Sequence, residues 1–133
     1  MVLVDTTVWI DWLRGRTSPP VARLAALLDE GDAALAPVIL QELLQGAVDT
    51  AALLVLRRRF SALPVLTPKR TLDVHADAGA LYARCRWAGV TPRSPHDCLI
   101  AATALAAGVQ LLHDDRDFDR IADVVPGLRL LRD

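Results

Sequence analysis

Residues 111–119 read LLHDDRDFD, an apolar pair and a histidine followed by Asp114, Asp115, Asp117 and Asp119. Carboxylates this close repel one another, so the run marks either a well-solvated turn or a site that holds something positive. Three acids elsewhere bear on the choice: Asp5, Glu42 and Asp97. Glutamate is rare in the chain, Glu30 being the only other one. Carboxylates that converge within a few ångströms cannot all ionise unless a cation offsets their repulsion, and all-oxygen donors select a hard ion such as Mg²⁺ or Mn²⁺. Such an ion binds a phosphate oxygen, lowers the pKa of a bound water and stabilises a leaving oxygen, which suits phosphodiester hydrolysis.

Convergence requires elements that carry these residues to one place. VLVD (2–5) is a short apolar run that turns polar at Asp5, as a buried parallel strand does at its carboxyl edge. TTVWIDWLRG then turns helical. Ser18 and the two prolines after it open a helix over VARLAALLDEG, with Gly31 at its far end. AALAP (33–37) gives a second strand and VILQELLQGA (38–47) a helix that carries Glu42. TAALLVLRRRFSAL (50–63) reads as a helix and PVLT (64–67) as a third strand. One long helix over 69–89 ends at Gly89, and another runs from Pro95 to Ala107 and stops at Gly108. VQLLH (109–113) is a fourth strand and GLRLL (127–131) a possible short fifth. Strands alternating with helices imply a three-layer α/β domain, with a short parallel sheet of 4–5 strands flanked by helices, over 1–133 as a single domain.

Ligands of open α/β sheets bind beyond the carboxyl ends of the strands. Asp5 ends the first strand there and Asp115 follows the fourth, while Asp97 sits in the first turn of the helix that leads into the fourth. Each acid also has a plain explanation. Ser94 and Asp97 fit a helix-capping pattern, Asp117 and Asp119 could complement the start of a helix over FDRIAD, and Thr6 and Thr7 could be caps. The functional reading of the two threonines is that their hydroxyls hold a phosphate or a metal-bound water. Arg93 and Arg116, near Asp97 and Asp115 in sequence, are candidates for phosphate contact and equally for ion pairing with those acids. Arg57, Arg58 and Arg59 span about 200° of a helix and read as a solvated face.

Composition narrows the classes. The chain has 133 residues, 53% of them hydrophobic but only 5% aromatic. Mean hydropathy is +0.30, high for a soluble monomer, which suggests that a partner covers part of the surface. Trp9 and Trp12 recur at helical spacing and suit either the core or such a contact. The apolar run CLIAATALAAGV is too short for a membrane span of about 20 residues and reads as a buried helix. The opening MVLVDTTVWI lacks a basic segment and meets Asp5, unlike a secretory signal, so the expected compartment is cytoplasmic. Cys85 and Cys98 fit that compartment as reduced, buried residues, and His96 with Cys98 lacks a zinc-ligand spacing. Net charge is −1, so any nucleic-acid contact must be local, and 14 of the 15 basic residues are arginine, suited to bidentate phosphate contact.

DTTVWIDWL, ELLQGA, RCRWAGVTPRSPHDCLIAATAL and LLHDDRDFDRIA resemble, in order and spacing, the four acidic motifs of PIN-domain ribonucleases, above all the VapC toxins of bacterial toxin–antitoxin pairs. The likeness covers essentially the whole chain. It implies metal-site and catalytic roles for Asp5, Glu42, Asp97 and Asp115, with Asp117 an extra acid at the metal and Asp114 a bystander. Thr6, Thr7, Arg93, Ser94 and Arg116, beside those acids in sequence, are the candidates for substrate binding, and His113 stands where many relatives carry Thr or Ser. The likeness further implies a Mg²⁺- or Mn²⁺-dependent endoribonuclease, a homodimer, an RNA substrate and a VapB-type antitoxin as partner.

Rival readings fail on particular residues. A receiver-type phosphoacceptor domain needs a lysine at the acidic edge, and the only lysine is Lys69, after the third strand. A haloacid-dehalogenase-type phosphatase needs Asp-x-Asp after its first strand, where this chain has Asp5, Thr6, Thr7. A domain of the same fold that only binds RNA or protein is the alternative left by sequence.

Overall fold

The computed structural model describes residues 1–131. Its strands are β1 (Val2–Val4), β2 (Ala33–Ala34) and β3 (Gln110–Leu112), and its helices are α1 (Thr6–Leu13), α2 (Pro19–Glu30), α3 (Pro37–Gln45), α4 (Thr50–Ser61), α5 (Thr71–Trp87), α6 (Pro95–Ala107) and α7 (Arg116–Val124). The sheet has the order β2-β1-β3 and is parallel throughout. Both weaker expected strands are reduced to single parallel bridges, Leu35 with Val65 and Leu111 with Leu130. They widen the sheet to five positions through bonds such as Leu66 N–H to the Leu35 carbonyl (2.7 Å) and Leu111 N–H to the Arg129 carbonyl (2.9 Å).

The middle strand is buried at every residue because both faces are covered, which is why VLV shows no alternation. Its register sets the geometry of the acidic edge. Val4 lies opposite Leu112, and the Asp5 N–H donates to the Leu112 carbonyl at 2.9 Å. The first residues beyond β1 and β3 therefore leave the sheet side by side. Helix α6 returns to β3 through Gly108, at φ 67° in the left-handed region that glycine enters without strain. Because α6 runs back against β3, its amino end lies at the carboxyl edge of the sheet. Its small residues Ala101, Ala102 and Ala104 are buried, which permits close approach to its neighbours. No helix among the described residues is long and apolar enough to cross a membrane.

Trp9 lies in the core with no exposed surface, which removes it from the candidates for a partner contact. Its ring packs edge-on against Trp12 at 5.7 Å and Phe60 at 5.4 Å, and its Nε1–H donates to the Val4 carbonyl at 3.0 Å. Trp12 is half-buried beneath the Arg59 guanidinium, 4.5 Å from the ring centroid, while Arg57 and Arg58 are exposed. Cys85 and Cys98 are free and buried, and burial pushes the Cys98 thiol up to about 12. Val48, Leu54, Val55, Leu72 and Trp87 leave large apolar surface exposed.

The indole bond ties α1 to the residue before Asp5. Trp9→Phe keeps an aromatic ring but removes the donor from a buried carbonyl, and unfolding in urea should show a loss of about 1–3 kcal/mol. A variant as stable as the wild type would mean that this bond contributes nothing to the strand end.

Candidate active site

Of the helices that begin at the carboxyl edge of the sheet, α1, α6 and α7 each bring an acid there at their start. Asp5 is the N-cap of α1 and Asp115 the N-cap of α7, while Asp97 lies in the first turn of α6. In both caps the side chain accepts from a backbone N–H two residues on: Thr7 N–H at 3.4 Å for Asp5 and Asp117 N–H at 2.9 Å for Asp115. The caps satisfy free amides at the helix ends, and the positive ends of the helix dipoles partly offset the carboxylate charges. Capping and site formation are thus one arrangement for these two residues. Asp97 differs. Ser94 caps α6 by accepting from His96 N–H at 3.2 Å, and the Asp97 carboxylate accepts no hydrogen bond among the described residues. A reciprocal capping box does not form.

Asp97, Asp115 and Asp117 each offer an oxygen, all within 4.8 Å of one another. Asp5 and Glu42 lie outside that group of three, yet the charges of both act on Asp97. The Thr7 hydroxyl donates to Asp5 Oδ2 at 2.6 Å, and the Thr6 hydroxyl donates to Glu42 Oε1 at 3.0 Å. Thr6 is buried and turned inward, so it orients Glu42, whereas Thr7 is exposed and lines the cleft. The cleft is about 530 Å³ and is walled by Arg93, Arg116 and Arg120 together with Asp114, Asp115 and Asp117. Asp114 is exposed and stands apart from the gathered oxygens. Arg93 bonds to Asp115 and Asp117, and Arg116 is exposed at the cleft wall.

Two positions gain a role from the structure alone. His113 Nδ1 accepts from Asp115 N–H at 3.0 Å, its ring packs against Phe118, and Nε2 faces Asp119 at 3.5 Å. The acceptor at Nδ1 places the proton on Nε2, and the ring braces the backbone of Asp115. His96 Nδ1 lies 3.8 Å from Glu42 Oε2, a contact between residues distant in sequence that no local pattern announces. Arg120 is 3.9 Å from Asp117 at i,i+3 on α7; that spacing was legible in the sequence as a signal.

The electrostatics follow from this crowding. Burial first, then the charges of Asp5, Asp115, Asp117 and Glu42, pushes Asp97 from 3.8 up to about 7. Burial also raises Asp5, against the hydrogen bonds from Thr7 and Thr6. Asp117 is held below the usual carboxylate range by the Arg93 N–H, against its burial, with help from the Arg93 and Arg120 guanidiniums. An all-oxygen donor set that keeps a proton near neutrality is short of positive charge, and a hard divalent cation fits it. Asp97, Asp115 and Asp117 would hold the ion, with Asp5 and Glu42 beside them.

The shift of Asp97 has a definite sign. The folded chain keeps this proton to about pH 7 while the unfolded chain releases it near 3.8, so this group costs stability as pH rises across that window. Asp117 acts oppositely, its contribution being present above the ordinary range and lost as pH falls through its lowered value. Asp97→Asn should therefore leave the metal-free protein melting at the same or a higher temperature at pH 7.5. A helix-start role alone would instead lower stability by about 0.3–1 kcal/mol. Apparent affinity for Mg²⁺ should rise with pH up to about 7, where Asp97 sheds its proton, and level off above, as titration calorimetry at pH 6, 7 and 8 would show.

A PIN domain model matches residues 2–124. Ribonuclease VapC11 of Mycobacterium tuberculosis is 39% identical over 126 residues, covering 93% of each chain. Among solved structures, DNA-bound VapBC from Salmonella typhimurium superposes with a TM-score of 0.70 at 26% identity, over 98% of this chain and 96% of that one. VapBC2 from Rickettsia felis, bound to a promoter fragment, gives a TM-score of 0.75 at 20% identity, over 98% of both chains. Edge geometry, matched domain and full-length relatives agree: the chain belongs to the PIN domain family, among the VapC-type ribonucleases.

Proposed function

We propose that this chain is the toxin of a toxin–antitoxin pair, an endoribonuclease that hydrolyses RNA phosphodiester bonds with a bound Mg²⁺ or Mn²⁺. The observation that carries the reading is the convergence of Asp97, Asp115 and Asp117 within 4.8 Å under the charges of Asp5 and Glu42. A domain that merely bound RNA or protein would have no use for three carboxylates gathered within 4.8 Å with two more acids beside them. A VapB-type antitoxin as partner is supported by the VapBC neighbours. Exposed Leu54, Val55, Leu72 and Trp87 would suit an antitoxin contact and a homodimer.

When bound, the ion supplies Lewis acidity toward phosphate and water. The remaining work falls to the side chains. Asp97, Asp115 and Asp117 are fixed at helix starts, with Asp5 beside them at a strand end, so the donor set needs little reorganisation. Arg116 and Arg120, on the cleft wall, would take phosphate oxygens of the RNA and set the backbone against the acids. Thr7 and Ser94 would add hydroxyls at that wall and at the start of α6. Glu42 has Oε1 engaged by Thr6 and Oε2 turned toward His96, and Oε2 is the atom suited to take a proton from the attacking water. Hydrolysis adds the water oxygen to phosphorus, breaks one P–O ester bond and delivers a proton to the departing ribose oxygen.

Purified protein incubated with total RNA should generate new ends with Mg²⁺ or Mn²⁺ and none with EDTA. Asp5→Asn and Asp97→Asn should reduce cleavage by orders of magnitude while remaining folded. In cells, the wild-type chain expressed without an antitoxin should arrest growth, and Asp5→Asn should not. Metal-independent cleavage, or a harmless wild-type chain that cuts no RNA, would refute the reading. At 100-fold over Kd the ion should also add about 2.7 kcal/mol of stability, seen as a higher melting temperature that EDTA reverses.

A further inference from the structure

The Arg93 side chain sits where the reaction above gives it no task. It leaves the loop between α5 and α6 and spans two of the three gathered carboxylates. Nη2 donates to Asp115 Oδ1 at 2.9 Å, and Nε donates to Asp117 Oδ2 at 3.2 Å. The Arg93 main-chain N–H donates to that same Asp117 Oδ2 at 3.0 Å, which anchors the loop independently of the side chain. Asp115 Oδ1 also accepts from Asp117 N–H at 2.9 Å, so the two acids and the arginine form one closed set of bonds.

The exposure of the partners is lopsided. The Asp117 side chain is 4% exposed and that of Asp115 16%, whereas the Arg93 side chain is 77% exposed. The acids are fixed in the fold, and the guanidinium can leave for solvent at little cost in buried contact. Asp117 would not be stranded, because Arg120 Nη1 stands 3.9 Å from its other oxygen, Oδ1. The guanidinium engages two of the three carboxylates that gather within 4.8 Å, the group into which a divalent ion would fit. Two positive charges on the same pair of carboxylates repel, and a dication demands tighter, better-directed oxygen contacts than a guanidinium does.

We propose that Arg93 is a built-in counter-ion, which holds Asp115 and Asp117 assembled in the metal-free chain and competes with the divalent cation for them, turning out to solvent as the ion binds. The inference rests on reading the three acids as a metal site. Freed from the acids, the guanidinium lies at the cleft wall, within reach of a phosphate.

Mn²⁺ titration by calorimetry on the full chain tests it, with melting curves of the metal-free proteins. Arg93→Gln removes the charge at an exposed position, and Arg93→Lys keeps the charge without the two-pronged contact. The Gln variant should melt lower without metal, bind Mn²⁺ with a Kd several-fold below that of the wild type, and gain more in melting temperature on binding. The Lys variant should fall between. A folded Gln or Lys variant that binds Mn²⁺ no more tightly than the wild type overturns the counter-ion role while leaving the metal site intact. A wild-type chain that binds no Mn²⁺, or an Asp97→Asn variant that binds it as well as the wild type, overturns the metal reading itself.

Discussion

Mutual repulsion among carboxylates at one edge of the sheet is the constraint around which the structure is arranged. Asp97 bears its cost most plainly, since burial and four neighbouring acids push its carboxyl up to about 7. A fold that only had to be stable would disperse these charges. Here the sheet register, three helix starts and two threonine hydroxyls all act to keep them together.

The economy of the arrangement lies in residues that serve the fold and the site at once. Asp5 and Asp115 cap α1 and α7, so the bonds that begin these helices also fix two acids in orientation. Parallel strands deliver their ends to a common edge, and the bond between Asp5 N–H and the Leu112 carbonyl sets the spacing of the first and last motifs. Behind the edge, Trp9 holds the end of β1 through the Val4 carbonyl, and His113 braces Asp115. The precision of the acids thus comes from a buried aromatic cluster and a histidine that carry no negative charge themselves.

Arginine offsets the surplus of negative charge locally in a chain whose net charge is only −1. Arg93 and Arg120 engage the acids and Arg116 flanks them, so guanidiniums stand beside carboxylates along the wall of the acidic cleft. The exposed apolar residues Leu54, Val55, Leu72 and Trp87 lie on α4 and α5, elements that carry none of the gathered acids.

The helices and the middle of the sheet were legible in the sequence because their signals are local. Ser18 with its prolines and Gly31 bound α2, Pro95 and Gly108 bound α6, and an unbroken apolar run marks a strand buried on both faces. The outer strands were not fully legible, since Val65 and Leu130 pair at one residue each and only their neighbours decide how far pairing extends. For the site, residue types and motif order identified Asp5, Glu42, Asp97, Asp115 and Asp117 as candidates, but capping and ligation use the same residue types at the same spacing. Tertiary structure shows Asp115 both capping α7 and standing among the gathered acids, and Asp97 standing there without a capping bond. It also turned Thr6 inward onto Glu42, set His96 against Glu42 and laid Arg93 across Asp115 and Asp117. Those contacts join residues brought together only by the crossovers of the parallel sheet, and a sequence records such proximity nowhere in its local pattern.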